Sequence, residues 1–207
     1  MEPFEDKVRR GGAVAMEEVD RFFMKEGPVY QALRNITQRL DTLGIPYAVC
    51  GGMALVGHGY ERTTVDVAIL VTPDGLAEVH RNLEGLGYVP PFAGSKNLRN
   101  TATGVRIEFL VSGQFPGDGK PKPVSFPDPT AVAVDIGGIR YLGLPSLIEL
   151  KLASGMTGKG RRKDLGDVQE LIRALSLEST FAEKLDPYVR YTYLELWREL
   201  QDESAPQ

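Results

Sequence analysis

One cysteine, two histidines and one tryptophan are spread over 207 residues. With Cys50 alone, the chain can form no internal disulfide, and zinc sites of the Cys/His kind lack their ligands. No apolar run approaches the roughly 18 residues of a membrane-spanning helix. Residues 1–10 are charged and carry no apolar stretch of the signal-peptide kind. These absences predict a cytoplasmic protein without a membrane anchor. A broadly basic surface is missing as well. The net charge of -4 excludes a general nucleic-acid coat and leaves only a local patch for such contact. There is no internal repeat and no low-complexity block. What remains is ordinary globular composition, at a length that suits one sizeable domain or one domain with a small appendage.

Helix-spaced apolar residues mark 17–25 and 29–43, with Pro28 at the start of the second and Gly44 just past its end. Residues 1–15 are charged and glycine-rich and read as loose or peripheral. Tyr47 to Cys50 reads as a short strand, and Met53 to Gly57 as the opening of a helix. Residues 66–71 and 105–111 alternate cleanly and read as strands, separated by a helix over 74–86 that stops at Gly87. Two short β stretches follow near 131–135 and 139–142. Helices are then expected at 145–153, 163–175, 181–185 and 187–200. This order predicts an α/β (α+β) fold: a mixed sheet flanked by helices, with a C-terminal helical layer. The chain divides into a peripheral segment (1–27), a core (28–143) and a C-terminal helical region packed on the core (144–207).

The chemistry gathers between residues 48 and 71. Gly51 and Gly52 follow a strand and precede a helix, where glycine lets backbone N–H groups approach a phosphate. A Gly-Gly pair alone is more often a tight turn that binds nothing. His58 and Gly59 stand where a P-loop needs Lys and Ser/Thr, and the spacing is not that of a dinucleotide fingerprint. Along the next strand, Asp66, Ala68 and Leu70 share one face, and Val65, Val67, Ile69 and Val71 the other. On the later strand Arg106, Glu108 and Leu110 share a face, making Glu108 a candidate neighbour of Asp66. Phosphoryl-transfer enzymes with two metal ions need carboxylates converging from one face. Asp66 and Glu108 are the candidates, and Ala68 interrupts an Asp-x-Asp pattern.

Gly51, Gly52, Arg62, Thr64, Asp66 and Glu108 resemble the pattern of the nucleotidyltransferase superfamily, whose fold is shared with DNA polymerase β. The nearest likeness is to the small bacterial branch of abortive-infection and toxin–antitoxin enzymes. Lys151 and the run Arg161-Arg162-Lys163-Asp164, with Asp167, match that branch's later elements in order. The resemblance covers about residues 47–172. It implies transfer of a nucleoside monophosphate from an NTP to an acceptor (RNA, protein or a small molecule), with Mg²⁺ or Mn²⁺. Asp66 and Glu108 would hold metal, Gly51 and Gly52 the β/γ-phosphates, and Lys151 would neutralise triphosphate charge. Ala68 stands at the position of the second metal-bridging Asp, so this chain is expected to be inactive or impaired. It is either a native pseudoenzyme that works by binding a protein partner, or an enzyme silenced by one substitution. An antitoxin partner is left open.

Other segments carry weaker signals. Lys159, Arg161, Arg162 and Lys163 form a positive cluster that suits a triphosphate, an RNA backbone or a solvated helix start. Asp164 could orient Lys163 or an acceptor group. The proline-rich connection 115–129 is stiff and follows the Glu108 strand, so it either borders the cleft or is a plain surface loop. Tyr188, Tyr191, Tyr193 and Trp197 have helical spacing and read as packing. His58 and His80 have no metal-type spacing.

Overall fold

A computed structural model of the chain describes residues 2–204. Helices α1 (Phe4–Arg9), α2 (Gly12–Phe23) and α3 (Pro28–Thr42) lead into strand β1 (Tyr47–Cys50). Helix α4 (Gly51–Gly57), strand β2 (Asp66–Val71), helix α5 (Pro73–Leu83), the short strands β3 (Tyr88–Val89) and β4 (Leu98–Asn100), and strand β5 (Arg106–Val111) follow. Then come helix α6 (Pro129–Val132), strands β6 (Ala133–Ile136) and β7 (Ile139–Leu142), and helices α7 (Leu144–Thr157) and α8 (Arg162–Ala174). A 3₁₀ segment (Ser179–Lys184) and helix α9 (Pro187–Ser204) end the chain.

The strands form one mixed sheet in the order β3-β4-β5-β2-β1-β7-β6. β2 lies at its centre, antiparallel to β1 and parallel to β5. Burial explains why β2 is so apolar. Val67, Ile69 and Val71 are covered on one face and Ala68 and Leu70 on the other, so only Asp66 at the end stays partly open. Local signals set the helix ends. Pro28 and Pro73 occupy first helical turns, and the Thr72 hydroxyl caps α5 by accepting from the Gly75 N–H at 3.0 Å.

The N-terminal stretch differs from its expectation. Residues 4–9 are helical, and Phe4 is buried in the core. Glu5 pairs with Arg99 through both carboxylate oxygens at 2.8 and 3.0 Å, and the Phe4 N–H donates to Gly104 O. A bidentate pair to a distant strand leaves no local pattern, so composition alone reads this segment as loose. The strands β3 and β4 are too short to show alternation, and no strand was expected there. The helix expected over 74–86 ends at Leu83.

At the C-terminal end α7 is buried nearly all round, including Lys151 and Ser154. Tyr193 is fully buried and donates from its hydroxyl to Glu178 O at 3.0 Å; the Trp197 indole donates to Leu177 O at 3.1 Å. These aromatics pack, as their spacing suggested, while Tyr191 faces solvent. Phe109 of β5 is fully buried beside the central strand. Phe109→Ala is expected to cost about 3–5 kcal/mol, read as a lower midpoint in urea unfolding with the slope unchanged.

Candidate functional site

The site forms where β1 hands over to α4. The backbone turns at Gly51 with a positive φ of 61°, a conformation that disfavours any side chain. The next residue is constrained by proximity. A Cβ at Gly52 would lie 2.7 Å from the Thr64 Cβ, so the turn presses on the segment entering β2. Thr64 in turn donates its hydroxyl to Asp66 Oδ1 at 3.0 Å. The Gly-Gly pair and Arg-x-Thr therefore meet in space. His58 joins this frame, its Nε2 2.8 Å from Leu142 O.

Parallel pairing of β2 with β5 sets Asp66 opposite Arg106 and Ala68 opposite Glu108. All four residues share one face. Arg106 donates to Asp66 Oδ2 at 2.8 Å, and the same nitrogen lies 3.8 Å from Glu108 Oε2. That hydrogen bond to Asp66 holds the guanidinium above its usual range. Sequence alternation put Arg106 on this face but assigned it no role. The signal that could have found it is its position two residues before Glu108, in register with Asp66.

Beside this face lies a small cleft of about 120 Å³. Gly51, Ala68, Glu108, Lys151, Arg161 and Asp164 line it, with Pro116, Gly117 and Phe126 from the proline-rich connection. That connection thus borders the cleft. The volume is below the roughly 300–1,000 Å³ of ordinary ligand pockets, so a nucleotide would lie partly in the open. Asp66 faces a neighbouring cavity of about 130 Å³, shared with Arg106 and with Glu5 and Asp6 of α1. Burial pushes the Cys50 thiol at the cleft floor up to about 12, so it stays protonated and is no nucleophile.

The remaining candidates form a second cluster between α7 and α8. Buried Lys151 donates to Asp164 Oδ1 at 3.1 Å and to Asp167 Oδ2 at 2.6 Å. Ser154 donates to Asp164 Oδ2 at 2.8 Å, and Arg62 bridges to Asp167. The Lys151 ammonium is therefore engaged by two carboxylates. Asp164 accepts from Lys151 and Ser154 and lies 3.9 Å from Arg161. Ser154 and Asp167 carry no motif of their own, and only the fold makes them partners. Arg161 reaches the cleft; Arg162 and Lys163 are exposed and outside its lining.

The crystal structure of ANT(2″)-Ia in complex with adenylyl-2″-tobramycin matches with a TM-score of 0.51 at 12% identity, over 82% of this chain and 97% of that one. An antigenic nucleotidyltransferase-like protein from Paracoccidioides brasiliensis matches with a TM-score of 0.49 at 15% identity, over 84% of this chain and 89% of that one. No family model and no curated protein matches the chain. The chain has the nucleotidyltransferase fold.

On that fold, the acidic face does not fit the two-ion centre that the resemblance implies. Among the described residues no group of three or more Asp, Glu, His or Cys side chains is arranged to hold a metal. Position 68 contributes a methyl group, and both Asp66 oxygens are already engaged by Thr64 and Arg106. The Lys151 cluster has a structural consequence that can be measured. Lys151→Ala leaves Asp164 without its ammonium partner and is expected to destabilise the chain by about 3–5 kcal/mol, detectable by urea unfolding.

Proposed function

We propose that the chain is a nucleoside-triphosphate-binding domain on the nucleotidyltransferase scaffold, with NMP transfer to an acceptor silenced at position 68. The observation that carries this reading is the pairing of Ala68 with Glu108 at the cleft wall, two residues from Asp66 on the same face. A carboxylate at 68 would complete a three-acid face; a methyl group leaves two acids. In this reading the Gly51–Gly52 turn contacts phosphate through backbone N–H groups. Arg161 supplies positive charge at the cleft, with Arg162 and Lys163 adding to the field around it. Asp164 acts through its contacts rather than on the substrate, since Lys151 and Ser154 occupy its oxygens. The acceptor is a nucleophile on RNA, protein or a small molecule.

A second reading has its own support. The Arg106–Asp66 ion pair favours a domain that does no transfer; such a domain would bind nucleotide and act through a protein partner such as an antitoxin. Label transfer from each α-labelled NTP into cellular RNA and protein separates the two. The chain itself is expected to transfer nothing, and Ala68→Asp to raise transfer by about 10²-fold or more over that background. Absence of label from both forms would leave only the binding reading. Binding has its own check. Arg161→Ala with Arg162→Ala is expected to weaken triphosphate affinity by about tenfold in calorimetry. An unchanged affinity would remove both arginines from the site.

A further inference from the structure

Arg106 has no role in transfer as proposed, yet it sits between the two carboxylates that the resemblance assigns to metal. Its guanidinium reaches Asp66 at 2.8 Å and Glu108 at 3.8 Å. Two carboxylates and one guanidinium leave a single net negative charge on this face. Mg²⁺ gives up water reluctantly and is held by carboxylates free to reach it. Here each Asp66 oxygen already accepts a hydrogen bond, one from Arg106 and the other from Thr64, and the guanidinium charge lies where an ion would sit. Arginine cannot be deprotonated in a protein, so raising the pH does not release the pair. Glu5 and Asp6 face this cavity from α1, each with an arginine beside it. Glu5 is committed to Arg99, which holds it below its usual range, and Asp6 lies 3.5 Å from Arg9.

We infer that the Arg106 guanidinium holds the metal's place. It ties the carboxylates of β2 and β5 together, keeps divalent ions off this face, and leaves triphosphate to bind as the metal-free anion. The last clause rests on the nucleotide-binding reading; the first two do not. Arg106 is partly exposed, so its replacement leaves the core untouched.

The test titrates Mn²⁺ alone into the full chain and follows free Mn²⁺ by electron paramagnetic resonance. Wild type and Arg106→Lys, which keeps the charge, are expected to show dissociation constants above roughly 1 mM. Arg106→Gln is expected to bind at least about tenfold more tightly. Wild type binding Mn²⁺ as tightly as Arg106→Gln overturns the inference, as does Arg106→Lys behaving like Arg106→Gln. In a separate arm, triphosphate affinity of the wild type is measured in EDTA and in Mg²⁺. Apparent binding at least severalfold tighter in EDTA supports the last clause, because Mg²⁺ in solution withdraws the metal-free anion that the site takes. Equal affinity in the two conditions, or a loss in EDTA, overturns it. Absence of triphosphate binding in both conditions overturns it along with the nucleotide reading, and the Mn²⁺ result stands apart.

Discussion

The parallel register of β2 on β5 is the constraint from which the site follows. It sets Asp66 across from Arg106 and Ala68 across from Glu108, and alternation puts all four on one face. A slip of either strand by one residue would turn that strand's side chains to the opposite face. The register is held by burial. Val67, Ile69 and Val71 pair with Ile107, Phe109 and Val111 in the core, so a slip would bury Asp66 or Arg106, according to the strand that moved. The apolar residues that make the strand stable therefore also aim the charged ones.

Two separate clusters of paired charge flank the cleft. On the sheet face, Arg106 answers Asp66 and lies near Glu108. Between α7 and α8, Lys151 and Arg62 answer Asp164 and Asp167. The second cluster is the more buried, and there an unpaired charge is expensive. It fastens the helical layer to the segment that precedes β2, since Arg62 belongs to that segment and Asp167 to α8. The cleft lies between the two clusters, with Glu108 and Ala68 on its sheet side and Lys151, Asp164 and Arg161 on its helix side. Arg161 is the most solvent-exposed cation in its lining.

Much of this was legible in the sequence because it rests on local pattern. Tyr47–Cys50, Asp66–Val71 and Ile139–Leu142 read as strands from alternation or short apolar runs between turn residues, and Pro28 with Gly44 bracketed a helix. Gly-Gly, Asp66 and Glu108 read as a set from their places on one turn and two strands, and Thr64 joined them through the family resemblance. Pairings across long sequence separations were not legible. Arg99 with Glu5 is 94 residues apart and Lys151 with Asp167 is 16, and neither leaves a periodic trace. Lys151 read as a phosphate ligand because a lysine in that order matches a pattern. Its carboxylate partners emerge only when α7 and α8 pack.

Ala68 and Arg106 belong to one argument about charge. Three carboxylates in close array repel one another and need strongly positive ions to stay ionised together. Two carboxylates and a guanidinium need no ion. Within this register, a third carboxylate at position 68 would face Glu108 directly and would compete with Asp66 for Arg106. The methyl group at 68 removes that competition and leaves Arg106 committed to Asp66. A small apolar residue at 68 and an arginine at 106 are thus mutually consistent, and each makes the other less costly. By the same reasoning, a carboxylate restored at 68 must draw a divalent ion from solution in spite of the arginine already present for the transfer expected of Ala68→Asp to appear. The two substitutions are coupled through a shared partner and are not expected to be additive.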